Sequence, residues 1–224
     1  MSAAATAASG PIGVVTGLKA EAAAVPQHAG LLVACHGPGP ARAASAAADL
    51  VARNARALLS FGVAAGLDPS LRPGTIVVAT AVVTATGRFE TDTAWAERVR
   101  TAAAGIAPVR GGIIYGSETI LAGPSAKRSL HERYNAVAAD MESHAVAAAA
   151  AGLPFLAVRV VLDAADQAIP AAAAAGMAPD GGTRPGAVIA ALLQRPQDLP
   201  ALIALGRANA KAMRVLAALA ATIA

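Results

Sequence analysis

Three carboxylates stand where an α/β sheet gathers its ligands. Glu21 follows the apolar run 12–15 and the pair Thr16-Gly17. Glu142 lies in the segment Asp140-Met141-Glu142-Ser143-His144, beside a short apolar run. Asp163 closes the strongly apolar run 155–162. Ligands in open α/β sheets collect beyond the carboxyl ends of strands. Carboxylates brought together there can divide acid and base work, provided that burial or a like charge raises the pKa of the donor. Each residue alone has a plainer reading. Capping and the helix dipole account for Asp140 and Glu142 near a helix start, and Glu21 also reads as a solvated helix residue. Arg42 follows the turn Gly37-Pro38-Gly39-Pro40 and opens a helix, a place suited to phosphate; a solvent-facing arginine is the alternative. Gly17, after the first strand, joins it as a phosphate-binding candidate. The same turn imitates a dinucleotide fingerprint, but its third small position is Arg42, so that reading fails.

The elements that must position these residues follow from periodicity. Strands are predicted over 12–15, 30–35, 57–61, 75–83, 109–115, 136–139 and 155–162. Helices are predicted over 19–25, 41–56, 93–104, 125–134, 141–151, 185–194 and 199–223. Gly62 is expected to open a flexible loop, GVAAGLDPSLRPG, whose Gly and Pro residues oppose regular structure. Residues 163–182 read as a long loop or broken helix. Strands alternating with helices predict one α/β domain. Its sheet is mixed, mostly parallel, twisted and flanked by helices. The domain is expected over 11–224, behind a disordered tail over 1–10.

Composition narrows the function classes. Of 224 residues, 56% are hydrophobic and 14% charged, the reverse of what disorder needs. No uninterrupted apolar run reaches the roughly 18 residues of a membrane span. The N-terminus lacks the basic start and long apolar run of a signal peptide, and a single cysteine, Cys35, rules out a disulfide framework; a cytoplasmic setting is expected. The net charge is +4, yet aromatics are only 3% and the basic residues are scattered, so no nucleic-acid partner is expected. Two isolated histidines, His36 and His144, make no metal site. Neither a metal nor an organic cofactor is implied, and phosphate is a candidate co-substrate.

Taken in order, several segments resemble the nucleoside phosphorylase and nucleosidase superfamily. AADMESHAVA resembles its ribose-gripping signature and VRVVLDAAD its strand-end Asp signature. SFGVAAGLDPSLRPGTIVV resembles its glycine-rich loop and following strand, and TGLKAE completes the set. Within the superfamily the likeness is to the hopanoid-associated group, assigned to removing adenine from adenosylhopane. SFG, DMESHA and TRPGAVIAALLQRPQDLPAL carry it. The resemblance implies roles. Glu142 would bind the ribose hydroxyls, Met141 would pack on the sugar, and Asp163 would protonate N7 of the purine. Glu21 would activate water in the hydrolytic branch. Gly62, Val63 and Ala64 would wall the pocket, and Arg159 would sit near the ribose and nucleophile. Thr119 stands where methylthioadenosine nucleosidases stack an aromatic, so either stacking on the base is weaker here or Phe61 or Phe155 takes that place. Trp95 reads as packing.

These readings imply an enzyme that releases adenine from a 5′-substituted adenosine, adenosylhopane foremost, by phosphorolysis. The alternatives are a hydrolytic nucleosidase of the methylthioadenosine/S-adenosylhomocysteine type and an inactive nucleoside-binding protein. The expected partner is a small-molecule nucleoside. The resemblance also implies a homo-oligomer, and a lipid substrate would imply transient membrane contact.

Overall fold

The computed structural model describes residues 10–28 and 30–223, so the tail expected over 1–10 lies almost wholly outside the described residues. The strands are β1 (Ile12–Val15), β2 (Leu31–Ala34), β3 (Ala57–Gly66), β4 (Ile76–Val83), β5 (Arg88–Glu90), β6 (Val109–Gly116), β7 (Ala136–Asp140) and β8 (Phe155–Asp163). The helices are α1 (Lys19–Ala24), α2 (Pro40–Ala52), α3 (Thr93–Ala103), α4 (Pro124–Tyr134), α5 (Ser143–Ala150), α6 (Ala171–Ala175), α7 (Pro185–Gln194) and α8 (Leu199–Ala220).

The strands form one mixed sheet in the order β2-β1-β3-β7-β6-β4-β5, with β8 bonded to both β3 and β4. The pairings β3-β8, β8-β4, β4-β6, β6-β7 and β7-β3 close a five-stranded ring. Closure leaves these strands no free edge. It also makes β8 the central strand, flanked by β3 and β4. Its run FLAVRVVLD is buried almost throughout, as a strand covered on both faces requires.

Alternation along the strands feeds two cores. Leu58 faces the layer in which Ala43, Ala46, Ala47 and Leu50 of α2 meet Val146 and Ala150 of α5. Leu59 and Phe61 face the layer built by Trp95 and Val99 of α3 with Leu216 and Leu219 of α8. The alanine surplus in the composition thus serves close helix-sheet contact, with little side-chain entropy to lose.

Three expectations need correction. The loop expected at Gly62 is strand: β3 runs on to Gly66 because β8 pairs with it past Gly62, up to Ala65. Glycine reads as a breaker in one dimension, but here neighbouring strands satisfy its backbone. A register shift between Ala64 and Ala65 bends the strand at that point. The helix expected from Met141 starts at Ser143, because the Asp140 carboxylate accepts the N–H groups of Glu142 and Ser143. Glu142 is left at φ −120°, outside the helix. The helix expected over 41–56 ends at Ala52, and Asn54 takes φ 61°. Sequence periodicity also missed β5, which pairs with β4 as an edge hairpin, and α6 within the long loop.

The two halves of α8 differ. Among its residues Ala212, Leu216, Leu219 and Ala220 are buried, and all lie in the C-terminal half. Leu216→Ala should therefore cost about 2–5 kcal/mol. Leu199→Ala, at an exposed site, should stay within about 0.5 kcal/mol. Denaturant midpoints of the two variants check this.

Candidate active site

At the centre of β8, Arg159 is an arginine in an apolar run, 1% exposed. Its partners come from three other elements. Nε donates to Asp140 Oδ2 at 2.5 Å, and Nη2 donates to Ser60 Oγ at 2.6 Å and Ser143 Oγ at 3.1 Å. Nη2 also lies 3.9 Å from Glu142 Oε2. Ser143 Oγ donates to Asp140 Oδ2 as well. Burial works against the charge on Arg159, but Asp140, Glu142 and Glu21 together outweigh it and raise its pKa. Burial pushes Asp140 up, and Arg159 and Ser143 more than reverse this, so Asp140 is held below the usual carboxylate range.

Glu142 is placed from above and below this network. Its Oε1 accepts the N–H of Gly39 at 2.9 Å. Gly39 has φ 102°, a backbone shape that glycine adopts without strain, and this aims the N–H. Burial and the nearby Asp140 raise the Glu142 pKa against the pull of Arg159.

Glu21 reaches across from α1. Oε2 accepts the N–H groups of Gly17 at 3.0 Å and Leu18 at 2.9 Å, and Oε1 accepts that of Val63 at 2.8 Å. The carboxylate lies over Gly62, where a Cβ would come within 2.5 Å of Oε1. Burial lifts its pKa to about 7, with Arg159 lowering it and Glu142 raising it. A buried carboxyl poised near neutrality suits a general base.

Asp163 ends β8, just past the register shift against β3. Its Oδ2 pairs with Lys127 Nζ from α4. Lys127 is fully buried and donates also to the carbonyls of Ala164 at 2.8 Å and Gln167 at 2.7 Å. Among the described residues Oδ1 has no hydrogen-bond partner, and Asp163 lines the pocket. Burial raises the Asp163 pKa although Lys127 opposes it.

These groups open onto one cleft. Glu21, Asp140, Glu142 and Asp163 line it, together with Gly17, Val63, Ala64, Thr119 and Met141. The structure thus brings together most of the residues singled out from the sequence. Three stand elsewhere. Arg42 is exposed, and its Nη1 donates to Pro38 O at 3.3 Å; it does not line the cleft, because its helix turns the side chain back over its own N-terminal turn. Arg159 lies beneath the cleft, held by its four partners. Gly62 is covered by Glu21 and serves as its seat. Nor does an aromatic platform form: Phe61 and Phe155 are core residues and Trp95 packs beside Val99. His36 Nδ1 meets Ser45 and His144 Nε2 meets Glu118. Lys127, Ser60 and Ser143 were not singled out from the sequence. A lone lysine in a helical pattern carries no signal of burial, and the serines gain meaning only through Arg159. Among the described residues no group of three or more His, Cys, Asp or Glu could hold a metal ion.

The phosphorylase superfamily model matches residues 29–194. The chain belongs to the phosphorylase superfamily. Membership places it among enzymes that cleave the N-glycosyl bond of nucleosides. No curated protein gives a significant match. Solved structures share the superfamily fold. The 5′-methylthioadenosine/S-adenosylhomocysteine nucleosidase of Neisseria meningitidis, in complex with methylthio-immucillin-A, has a TM-score of 0.73 at 19% identity, over 95% of this chain and 97% of that one. The S-adenosylhomocysteine nucleosidase of Streptococcus pyogenes, in complex with 5-methylthiotubericidin, has a TM-score of 0.66 at 18% identity, over 95% and 96%. The native futalosine hydrolase of Helicobacter pylori strain 26695 has a TM-score of 0.61 at 17% identity, over 68% and 87%.

Two outcomes follow from this geometry. Arg159→Met leaves two carboxylates buried beside an apolar side chain and should cost about 3–5 kcal/mol, read from denaturant unfolding. The raised pKa of Glu21 means the folded state holds its proton more tightly than the unfolded state. Its contribution is full below about 4.5 and is lost as pH rises through about 7. Stability measured across that window should fall more steeply with pH in the native chain than in Glu21→Gln.

Proposed function

We propose that the chain hydrolyses the N-ribosidic bond of a 5′-substituted adenosine and releases adenine. The observation that carries hydrolysis is the charge of the cleft: four carboxylates line it, and among the described residues no lysine or arginine does. An attacking phosphate needs cations and amide donors around it. Arg42, the residue proposed for that role, does not line the cleft and spends a donor on the carbonyl of Pro38. Water activated by a carboxylate needs neither. The similar solved structures, of methylthioadenosine/S-adenosylhomocysteine nucleosidases, support the same reading, and phosphorolysis is correspondingly less well supported.

The roles follow from position. Glu142, fixed by Gly39 and Arg159, accepts hydrogen bonds from the ribose hydroxyls, with Met141 against the sugar. As the C1′–N9 bond breaks, its electron pair moves into the purine and C1′ gains oxocarbenium character. Asp163 gives a proton to N7, so that adenine leaves neutral. Glu21 takes a proton from water as the water oxygen bonds to C1′. The logic is that of two-carboxylate glycoside cleavage, with a ring nitrogen in place of the leaving oxygen. Lys127 is a positioning residue: it holds Oδ2 and leaves Oδ1 toward the base. Thr119, Val63 and Ala64 offer small walls to the purine in the absence of an aromatic platform.

A 5′ group that is large and apolar is favoured by the apolar residues Ile120, Leu121, Ile169 and Met177 in the same cleft. Adenosylhopane, named by the sequence resemblance, is a substrate of that kind.

Adenine release from 5′-methylthioadenosine, with and without phosphate, tests the reading. Equal rates and a free reducing sugar are expected. Strict dependence on phosphate would return the reaction to phosphorolysis. Asp163→Asn should lower kcat by about 10²–10⁴-fold with little change in binding. Full activity in Asp163→Asn would remove its role as acid.

A further inference from the structure

Large apolar side chains in contact with solvent are few among the described residues, and most of them share one region. Ile189 and Leu193 of α7 are 59% and 79% exposed, and Leu199 and Ile203 of α8 are 47% exposed or close to it. Each pair is spaced i, i+4, so each helix carries one apolar stripe. No residue of α7 is buried, and none of α8 before Ala212. That overhang of α8 is about 20 Å long. Short helices are marginal in water and gain stability from packing of an apolar face. Among the described residues the apolar face has no partner.

The flanking charge indicates what covers it. Arg184, Arg195, Arg207 and Arg214 are exposed in and around the two helices, and Asp198 is the one carboxylate between 184 and 214. Asp198 lies 3.6 Å from Arg195 and offsets only that charge. A second copy of the same face would set arginine against arginine. An anionic bilayer complements it: apolar side chains enter the acyl boundary while the guanidinium groups stay among the head groups. Among the described residues no helix is long and apolar enough to cross a membrane, so such a contact would lie on the surface. The region also adjoins the cleft. α7 rests on α6 through Val188 over Gly176, and Arg184 Nη2 donates to the carbonyl of Met177, a cleft residue.

We propose that α7 and the N-terminal half of α8 form a docking surface for anionic lipid bilayers, which brings the mouth of the cleft to the membrane. The proposal concerns binding and stands whether or not the reaction above is correct.

Co-sedimentation of the full chain with vesicles tests it, without nucleoside present. Vesicles of phosphatidylcholine with phosphatidylglycerol should bind the chain at least about tenfold more tightly than phosphatidylcholine alone, and raised salt should weaken the binding. The double variant Ile189→Ser/Leu193→Ser should bind at least about tenfold more weakly. Its thermal midpoint and its oligomeric state should match the native chain, since both side chains are exposed. Failure of the native chain to bind anionic vesicles would overturn the proposal. So would unchanged binding by the double variant. Dissociation of a native oligomer by the double variant would also overturn it, because the face would then be an interface between copies.

Discussion

A guanidinium sealed inside the sheet cannot stay there without counter-charge, and meeting that need organises the cleft. Arg159 occupies the central strand, where β3 and β4 exclude water from both sides. Its charge is met by Asp140 from the end of β7 and by Glu142 just beyond, with Ser60 and Ser143 completing the donors' geometry. The same charge reaches Glu21, tempering the effect of burial there. One buried cation therefore fixes carboxylates contributed by different elements. This is a costly way to gain stability and a good way to hold functional groups rigidly.

The carboxylates divide by environment. Asp140, bonded directly to Arg159, stays ionised and acts as structure. Glu142 and Glu21, farther from the guanidinium and deep in the protein, are shifted upward. Asp163 is buried against its own cation, Lys127. Pairs of acids whose surroundings separate their pKa values are the usual basis for distinct acid and base roles.

Much of this was legible in the sequence, and the failures have physical causes. Glu21, Glu142 and Asp163 stand at strand ends, where topology alone brings ligands, and the structure gathers all three into one cleft. The apolar runs marked β1, β4 and β8 to within one or two residues because burial on both faces leaves a continuous pattern. Gly62 misled because its lack of a side chain serves Glu21 rather than a turn. Asp140 looked like a helix cap, which it is in part, but its bond to Arg159 depends on a residue 19 positions away. Arg42 has the local setting for phosphate, but its side chain bonds the carbonyl of Pro38 and does not line the cleft. Lys127 had no local signal, since its burial depends on a loop 36 to 40 residues onward.

The claim on which most depends is that burial, with Arg159 beneath, poises Glu21 near neutrality as a base. Infrared titration of the carboxyl groups, with the native chain compared against Glu21→Gln, reads that group directly. A midpoint of about 7 that disappears in Glu21→Gln is the expected result. A midpoint at the ordinary value of 4.5 would contradict it and remove Glu21 from the mechanism.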